Sequence, residues 1–139
     1  MKVFRLFLIQ IGLLLYPPGI EFVIAFFGCL YAGVVAIPAY PPRRNQKMSR
    51  LEAIVRDARA RVVLTTSSIL SKVESNLADN PNLKALHWLA TDEAEAKSVR
   101  SWQHPDLKGE SLAFLQYTSG STGAIRVKDR FCVLAIWAF

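Results

Sequence analysis

Short hydrophobic runs alternate with polar stretches along this chain, and the first of them predict a strand, a helix and a second strand. Residues 13–16 form an apolar run closed by Pro-Pro-Gly, which is typical of a buried strand ending in a turn. Residues 20–32 carry apolar side chains at helical spacing, and Gly33 follows where a helix is expected to stop. Residues 34–37 are rich in β-branched side chains and end at Pro38, which predicts the second strand.

The same alternation continues through the middle of the chain. Residues 46–60 predict a helix with one apolar stripe, formed by Met48, Leu51, Ile54, Val55 and Ala58. Residues 62–65 predict a strand, and Ser67 or Ser68 is expected to cap the helix that follows. The sequence Asn-Pro-Asn at residues 80–82 is expected to end that helix.

The last third of the chain is mostly polar. Short strands are predicted at residues 88–90 and 112–117, with a polar, irregular stretch over residues 91–111 between them. Strands that alternate with helices and that are themselves apolar runs indicate an α/β fold with a mostly parallel sheet and flanking helices.

Length and composition narrow the classes of protein. The chain has 139 residues, of which 52% are hydrophobic and 20% charged, so it is one domain at most and not a disordered chain. Two cysteines and two histidines exclude a disulfide scaffold and a four-thiolate zinc site. Cys29, Trp88 and Trp102 are interpreted as packing residues.

The charge and the amino-terminal residues bear on partners and location. Seventeen Lys and Arg against eleven Asp and Glu give a net charge of +6, with the densest basic cluster at residues 43–50. No aromatic residues or recognisable module surround that cluster, so no nucleic-acid partner is expected. The apolar run at residues 6–16 is too short to span a membrane and no small-residue cleavage site follows it. We therefore expect a cytoplasmic protein without a membrane partner.

The best candidate for a ligand-binding site is the loop that follows the last predicted strand. It contains two glycines and four hydroxyl side chains, at Thr118, Ser119, Gly120, Ser121, Thr122 and Gly123. Glycines let the backbone approach an oxyanion, successive N–H groups can form an anion-binding nest, and the hydroxyls can donate to phosphate oxygens. The loop lacks the Gly-Lys-Ser/Thr ending of a Walker A motif.

The full string at residues 117–123, YTSGSTG, resembles the signature phosphate loop of the adenylate-forming superfamily, the AMP-dependent synthetases and ligases. Three earlier segments are similar to its fatty acyl-AMP ligase and acyl-CoA synthetase branches: LLYPPG at 14–19, AFFGCLYAG at 25–33 and PAYPPRR at 38–44. The resemblance implies part of the N-terminal subdomain of the adenylate-forming fold, an incomplete α/β unit.

The same resemblance implies a function. The family activates fatty acids with ATP and Mg²⁺ to acyl-adenylates, and the acyl group then passes to a thiol of coenzyme A or of an acyl carrier protein. By this likeness Thr118, Ser119, Gly120, Ser121, Thr122 and Gly123 bind the ATP phosphates. The family's catalytic and metal-binding residues match nothing here, so no catalytic or metal-binding residue is assigned, and the chain alone is expected to be inactive.

Both ends of the chain depart from the family pattern. Where the family usually continues with Pro-Lys-Gly, this chain has Ile125, Arg126 and Val127. We divide it into an atypical amino terminus over residues 1–12, a partial synthetase domain over 13–123, and an atypical tail over 124–139. One hypothesis is that both ends are read in a shifted frame. The alternative to a ligase fragment is a small membrane-associated or partner-binding protein without catalysis.

Overall fold

The structure, a computed structural model, describes residues 10–43, 48–94 and 102–117. Within these ranges strands and helices alternate as the sequence predicts, and the confirmed class is α/β. The elements in chain order are β1 (Ile11–Leu15), α1 (Ile20–Ala32), β2 (Val35–Ala39), α2 (Ser49–Ala58), β3 (Val62–Thr65), α3 (Ser67–Leu77), α4 (Pro81–Lys84) and β4 (His87–Ala90).

The four strands form one parallel sheet in the order β2-β1-β3-β4. The chain therefore moves from β1 to β2 on one side and then crosses over to β3 and β4 on the other. In the register, Leu13 lies opposite Ile37 on one neighbour and Val63 on the other. The place where the strand order reverses, between β1 and β3, is where open α/β sheets commonly bind ligands at their carboxyl ends.

Each face of the sheet has its own hydrophobic core, because successive strand residues point to opposite faces. Leu13 and Leu15 of β1 pack with α2, α3 and α4 on one face. Leu14 and Tyr16 pack with Ala25 and Cys29 of α1 on the other. The helices thus cover the two faces unequally, with three helices on one and α1 on the other among the described residues.

The first predicted unit is present in the structure, although β1 covers Ile11–Leu15 and not the predicted residues 13–16. Helix α1 has the predicted bounds, and Gly33 ends it in the left-handed conformation with φ of 70°. Strand β2 continues through Pro38 to Ala39, where the sequence predicted a stop at the proline. Alternate residues of a parallel strand direct their polar groups to the same neighbour. Since Val35 donates to Gln10 and Ala36 to Ala113, Pro38 lies on the side away from β1 and removes no bond to it.

The predicted stripe of α2 is confirmed, because Met48, Leu51, Ile54, Val55 and Ala58 are all buried. The helix is shorter than the predicted range of 46–60, because it begins at Ser49 and ends at Ala58, where Arg59 takes a left-handed conformation with φ of 56°. Residue 46 itself lies outside the described residues. The predicted cap of α3 is wrong: the capping residue is Thr66, whose Oγ1 accepts from the backbone N–H of Ile69 at 3.4 Å. The Asn-Pro-Asn segment does end α3, but Pro81 also opens the short helix α4, which the sequence analysis did not predict.

The predicted strand over residues 112–117 is wrong as a full strand. Residues 113–115 make a single parallel bridge to β2, in which Ala36 donates to Ala113 at 3.1 Å and accepts from Leu115 at 2.8 Å. The next donor along β2 on this side would be Pro38, which has no N–H. The ladder therefore ends after one bridge, and the segment 112–117 continues beside the sheet without regular pairing.

Candidate functional site

The carboxyl ends of the parallel strands bring several hydroxyl groups together at one edge of the sheet. Tyr16 follows β1, Thr65 ends β3 and Thr91 follows β4. The Thr65 hydroxyl donates to the Leu15 carbonyl oxygen at 2.8 Å, and the Thr91 hydroxyl donates to the Thr65 carbonyl oxygen at 3.2 Å. The three strand ends β1, β3 and β4 are thus tied together by side chains beyond the last bonds of the ladder.

Tyr16 completes this hydroxyl network. Its phenolic oxygen lies 2.7 Å from Thr91 Oγ1, and the Tyr16 side chain is buried in the core on the α1 face. Because the Thr91 hydroxyl donates its proton to the Thr65 carbonyl, Tyr16 is the donor in this contact. Burial raises the pKa of Tyr16 above its ordinary value. The group therefore stays neutral and serves as a fixed donor at this edge.

Asp92 lies one residue further along and contacts the amino terminus of α3. Its Oδ1 accepts from the backbone N–H of Ser67 at 2.8 Å, and its Oδ2 accepts from the Ser67 hydroxyl at 2.7 Å. These two hydrogen bonds lower the pKa of the Asp92 carboxyl below its usual value. A negative charge at a helix amino terminus is also favourable toward the helix dipole. The Ser67 hydroxyl therefore donates to Asp92, and the cap of α3 is Thr66.

Tyr117 leads directly into the predicted phosphate loop and is anchored to α2. Its hydroxyl donates to Asp57 Oδ2 at 2.5 Å, a contact that joins residues 60 apart in the sequence. Tyr117 also packs against the core on the α2 face. The predicted phosphate-binding residues themselves, Thr118, Ser119, Gly120, Ser121, Thr122 and Gly123, lie outside the described residues.

Phe114 anchors the same segment on the opposite face of the sheet. Its ring lies edge-on to Phe26 of α1, with 5.5 Å between the ring centroids and 68° between the planes. Leu115, the next residue, is buried in the core on the α2 face. The segment that precedes the predicted phosphate loop is therefore held from both faces, by Phe114 toward α1 and by Tyr117 toward α2.

Sequence reasoning did not single out these supporting residues. Tyr16, Thr65, Thr91 and Asp92 all lie at or just after a strand end. That position, together with a parallel sheet, is a signal that could have grouped them at one edge. No comparable local signal marks Asp57, whose partner is 60 residues away.

The structure also tests the packing roles predicted for Cys29, Trp88 and Trp102. Cys29 is buried as predicted, and burial raises the pKa of its thiol to about 11. Trp88 is half-buried and donates to the Leu83 carbonyl oxygen at 2.9 Å, which confirms a packing role. The packing role predicted for Trp102 is wrong in part, because 49% of its surface is exposed, although its indole N–H donates to the Tyr31 carbonyl oxygen at 3.0 Å.

Neither a metal-binding cluster nor a membrane-spanning helix occurs in the part of the chain that the structure describes. Residues 10–43, 48–94 and 102–117 contain no group of three or more His, Cys, Asp or Glu side chains that could hold a metal ion. In the same ranges, no helix combines the length and the apolar character needed to cross a bilayer.

Two curated proteins similar to this chain are both named as fatty-acid ligases. The medium-chain-fatty-acid–[acyl-carrier-protein] ligase JamA of Moorena producens is 48% identical over 115 residues, which cover 80% of this chain and 19% of JamA. The long-chain-fatty-acid–AMP ligase FadD23 of Mycobacterium tuberculosis is 36% identical over 111 residues, with the same two coverages. This chain thus spans about a fifth of the length of the curated relatives it matches.

Solved structures agree with the sequence relatives. The fatty acyl-adenylate ligase of Legionella pneumophila, crystallised with acyl adenylate and pyrophosphate, superposes with a TM-score of 0.70 at 35% identity. The match covers 81% of this chain and 19% of that ligase, and the parallel sheet with its helices corresponds to part of the N-terminal subdomain of adenylate-forming enzymes. The sequence model described as AMP-binding enzyme matches residues 11–125. The matched relatives include fatty acyl-AMP ligases, and this chain spans about a fifth of the length of each of these two curated relatives. The chain belongs to the AMP-binding enzyme family.

Proposed function

We propose that this chain is the part of a fatty acyl-AMP ligase that supplies the phosphate-binding loop for the activation of a fatty acid with ATP. The observation that carries the proposal is the position of Tyr117, at the carboxyl end of a segment paired in parallel with β2 and anchored to α2. The loop at residues 118–123 follows at once in the sequence. Loops that leave the carboxyl ends of parallel strands are the usual ligand-binding positions of open α/β sheets.

The proposed chemistry uses this chain's own groups in a simple way. Backbone N–H groups and the hydroxyls of Thr118, Ser119, Ser121 and Thr122 donate hydrogen bonds to the phosphate oxygens of ATP. When the fatty-acid carboxylate attacks the α-phosphate, pyrophosphate leaves, and these donors stabilise its growing charge. The Tyr117–Asp57 contact and the Phe114–Phe26 contact fix the segment that immediately precedes the loop in the sequence.

The other participants follow from the relatives and not from the described residues. JamA is a ligase for medium-chain fatty acids and acyl carrier protein, and FadD23 is a long-chain fatty acid–AMP ligase. We therefore propose a fatty acid as the substrate, and coenzyme A or an acyl carrier protein as the acceptor. Mg²⁺ accompanies ATP in such chemistry, and no residue of the described ranges is assigned to bind it.

The isolated chain is expected to be inactive, because it spans about a fifth of its relatives. Losing a single well-placed electrostatic contact in a catalytic site costs about 10²–10³-fold in rate, and most of the relatives' length is not represented here. Formation of acyl-AMP from ATP and a fatty acid, measured by ATP–pyrophosphate exchange, should equal that of a heat-denatured sample. Exchange above that background would contradict this expectation.

A chimera tests the proposed role of the loop directly. Residues 11–125 would replace the matched fifth of the Legionella pneumophila ligase, and ATP–pyrophosphate exchange would be measured with medium- and long-chain fatty acids. We expect exchange in the chimera and a loss of at least tenfold in the variant Thr118→Ala. The matched control is Ser111→Ala, whose hydroxyl accepts from the Lys108 backbone N–H at 2.9 Å. Equal exchange in Thr118→Ala and Ser111→Ala would refute the loop assignment.

A further inference from the structure

The carboxylate of Asp57 lies at a position that helix α2 by itself does not favour. Asp57 is in the last turn of α2, which ends at Ala58, and the dipole of a helix repels a negative charge near its carboxyl terminus. The residues three and four positions earlier are Ile54 and Ala53, so helical spacing brings Asp57 no positive partner within α2. The helix alone therefore gives no reason for an aspartate at this position.

The partner of Asp57 is a tyrosine 60 residues later in the sequence. The Tyr117 hydroxyl donates to Asp57 Oδ2 at 2.5 Å, and both side chains are half-buried. Hydrogen bonds to a charged group are shorter and about twice as strong as those between neutral groups. Partial burial strengthens such a bond further, since the surrounding dielectric is lower than that of water. The contact offsets the unfavourable place of the charge, and it fixes the residue that immediately precedes the predicted phosphate loop.

This hydrogen bond lies beyond the point where the backbone pairing of the segment ends. Ala36 of β2 pairs with Ala113 and Leu115, and the next position on that side of β2 is Pro38, which has no N–H to donate. Leu115 is buried on the α2 face, and Tyr117 packs against the same core, as two positions along an extended segment should. The Tyr117 hydroxyl therefore extends the attachment of the segment two residues past the last bond of the ladder.

Helix α2 gives Asp57 a fixed position. Val55 and Ala58, on either side of it in the last turn, are buried in the core on this face of the sheet. Arg59 ends the helix in a left-handed conformation, and its backbone N–H donates to the Val55 carbonyl oxygen. A side chain on a packed helix holds its partner more precisely than a side chain on a loop does. Asp57 can therefore set the position of Tyr117 relative to the core.

We propose that Asp57 is a positioning residue for ATP: its carboxylate holds Tyr117 and thereby fixes the point from which residues 118–123 leave the sheet. This inference rests on the proposed function, in which those residues bind the phosphates. Groups that bind a reacting ligand have to stay within about 0.5 Å of the productive geometry, and a displacement of about 1 Å can cost about 10²-fold in rate. Loss of the contact should therefore weaken the use of ATP and leave the binding of the fatty acid unaffected.

The chimera that carries residues 11–125 of this chain in the Legionella pneumophila ligase measures this effect. Initial rates of ATP–pyrophosphate exchange are recorded while the concentrations of ATP and of the fatty acid are varied in turn. Asp57→Ala should raise the KM for ATP about tenfold and leave the KM for the fatty acid within about twofold. A variant that merely unfolds part of the sample would lower kcat and leave both KM values unchanged.

Two conservative variants separate the hydrogen bond from the packing around it. Tyr117→Phe removes the hydroxyl and keeps the ring, so it should raise the KM for ATP as Asp57→Ala does, and the double variant should raise it no further. Asp57→Asn keeps an oxygen acceptor and should restore part of the affinity. The matched controls are Asp79→Asn, at an exposed position after α3, and Tyr40→Phe, on a ring that is 79% exposed. Both controls should leave the KM for ATP unchanged.

The outcomes distinguish the positioning role from the proposed function. If Thr118→Ala raises the KM for ATP and Asp57→Ala does not, the positioning role is overturned and the loop assignment stands. If Asp57→Ala raises it and Thr118→Ala does not, the loop assignment fails, whereas the ATP-specific effect of Asp57 stands. Equal changes in the KM values of both substrates, or additive effects of Asp57→Ala and Tyr117→Phe, would overturn the positioning role.

A second measurement decides the matter if the chimera shows no activity. Amide hydrogen exchange of the full 139-residue chain, followed by mass spectrometry, reports the opening of residues 112–117 directly. Asp57→Ala and Tyr117→Phe should each speed amide exchange there about fivefold or more, while α3 exchanges as in the unaltered chain. With an inactive chimera, faster exchange confined to residues 112–117 would support the positioning role, and unchanged exchange there would overturn it.

Discussion

Removing the Tyr117 hydroxyl should loosen the segment that leads into the predicted phosphate loop. The hydroxyl donates to Asp57 Oδ2 at 2.5 Å, and both side chains are half-buried. A hydrogen bond to a charged group contributes about 1.5–3 kcal/mol to stability, and partial access of water lowers the cost of breaking it. We expect Tyr117→Phe to lower the free energy of unfolding by about 1–2 kcal/mol.

A double-mutant cycle separates this contact from general effects of each substitution. Asp57→Ala should cost a similar amount, and the double variant should cost little more than either single one, which gives a coupling of about 1 kcal/mol. Asp57→Asn keeps an oxygen acceptor and should retain part of the bond. The matched control is Tyr40→Phe, because Tyr40 is 79% exposed and its hydroxyl should contribute almost nothing.

Urea unfolding followed by tryptophan fluorescence provides the free energies. Each variant is measured at two protein concentrations, so that dissociation of associated chains is separated from unfolding. If the effects of Tyr117→Phe and Asp57→Ala add fully, the two groups do not stabilise each other and the anchoring role is refuted. If the effects are coupled, the same variants in the chimera should weaken ATP–pyrophosphate exchange more than Tyr40→Phe does.

Three further predictions concern single residues. Gly33→Ala should destabilise the chain by about 1–2 kcal/mol, because the backbone φ at Gly33 is 70°. Gly28→Ala should stabilise it by about 0.5–1 kcal/mol, because Gly28 lies in the middle of α1 with open space around the position of a Cβ. The midpoint of urea unfolding measures both changes. Cys29, with a pKa of about 11, should resist iodoacetamide at pH 8 until urea is added, as peptide mass mapping would report. The pKa of Asp92 is lowered in the folded state, so its contribution is present above the ordinary value of 3.8 and is lost as pH falls through the folded value. Asp92→Ala should therefore flatten the acid limb of the stability curve, and unchanged acid sensitivity would contradict the contact with Ser67.

Local signals explain what the sequence predicted well. Helix α1 has the predicted bounds because the residues that mark its ends, Pro-Pro-Gly and Gly33, lie directly beside it in the sequence. The stripe of α2 is likewise a local repeat, and each of its predicted residues is buried. The string at residues 117–123 is also a run of adjacent residues and lies within the family match, and its assignment as a phosphate loop stays a prediction.

Contacts distant in sequence explain the errors. Ser67 fails as a cap because Asp92, 25 residues later, accepts from its hydroxyl and from its N–H. The last predicted strand stops at one bridge because its neighbour presents Pro38 where the next donor is needed. In both cases the decisive residue lies on another element, and spacing along one segment does not show which elements become neighbours.

Phe114 and Tyr117 connect the segment before the predicted phosphate loop to the two helix layers, which lie on opposite faces of the sheet. Tyr117 contacts α2, whose outward side is charged and whose inner side is buried within the described residues. Phe114 contacts Phe26 of α1, the helix whose outer face is apolar and exposed. The segment before the predicted phosphate loop is therefore anchored on α2, whose outward side is charged, and on α1, whose outward side is apolar among the described residues. The position of Tyr117 therefore depends on both helix layers, and loosening either anchor, Tyr117 on α2 or Phe114 on α1, should weaken ATP–pyrophosphate exchange in the chimera.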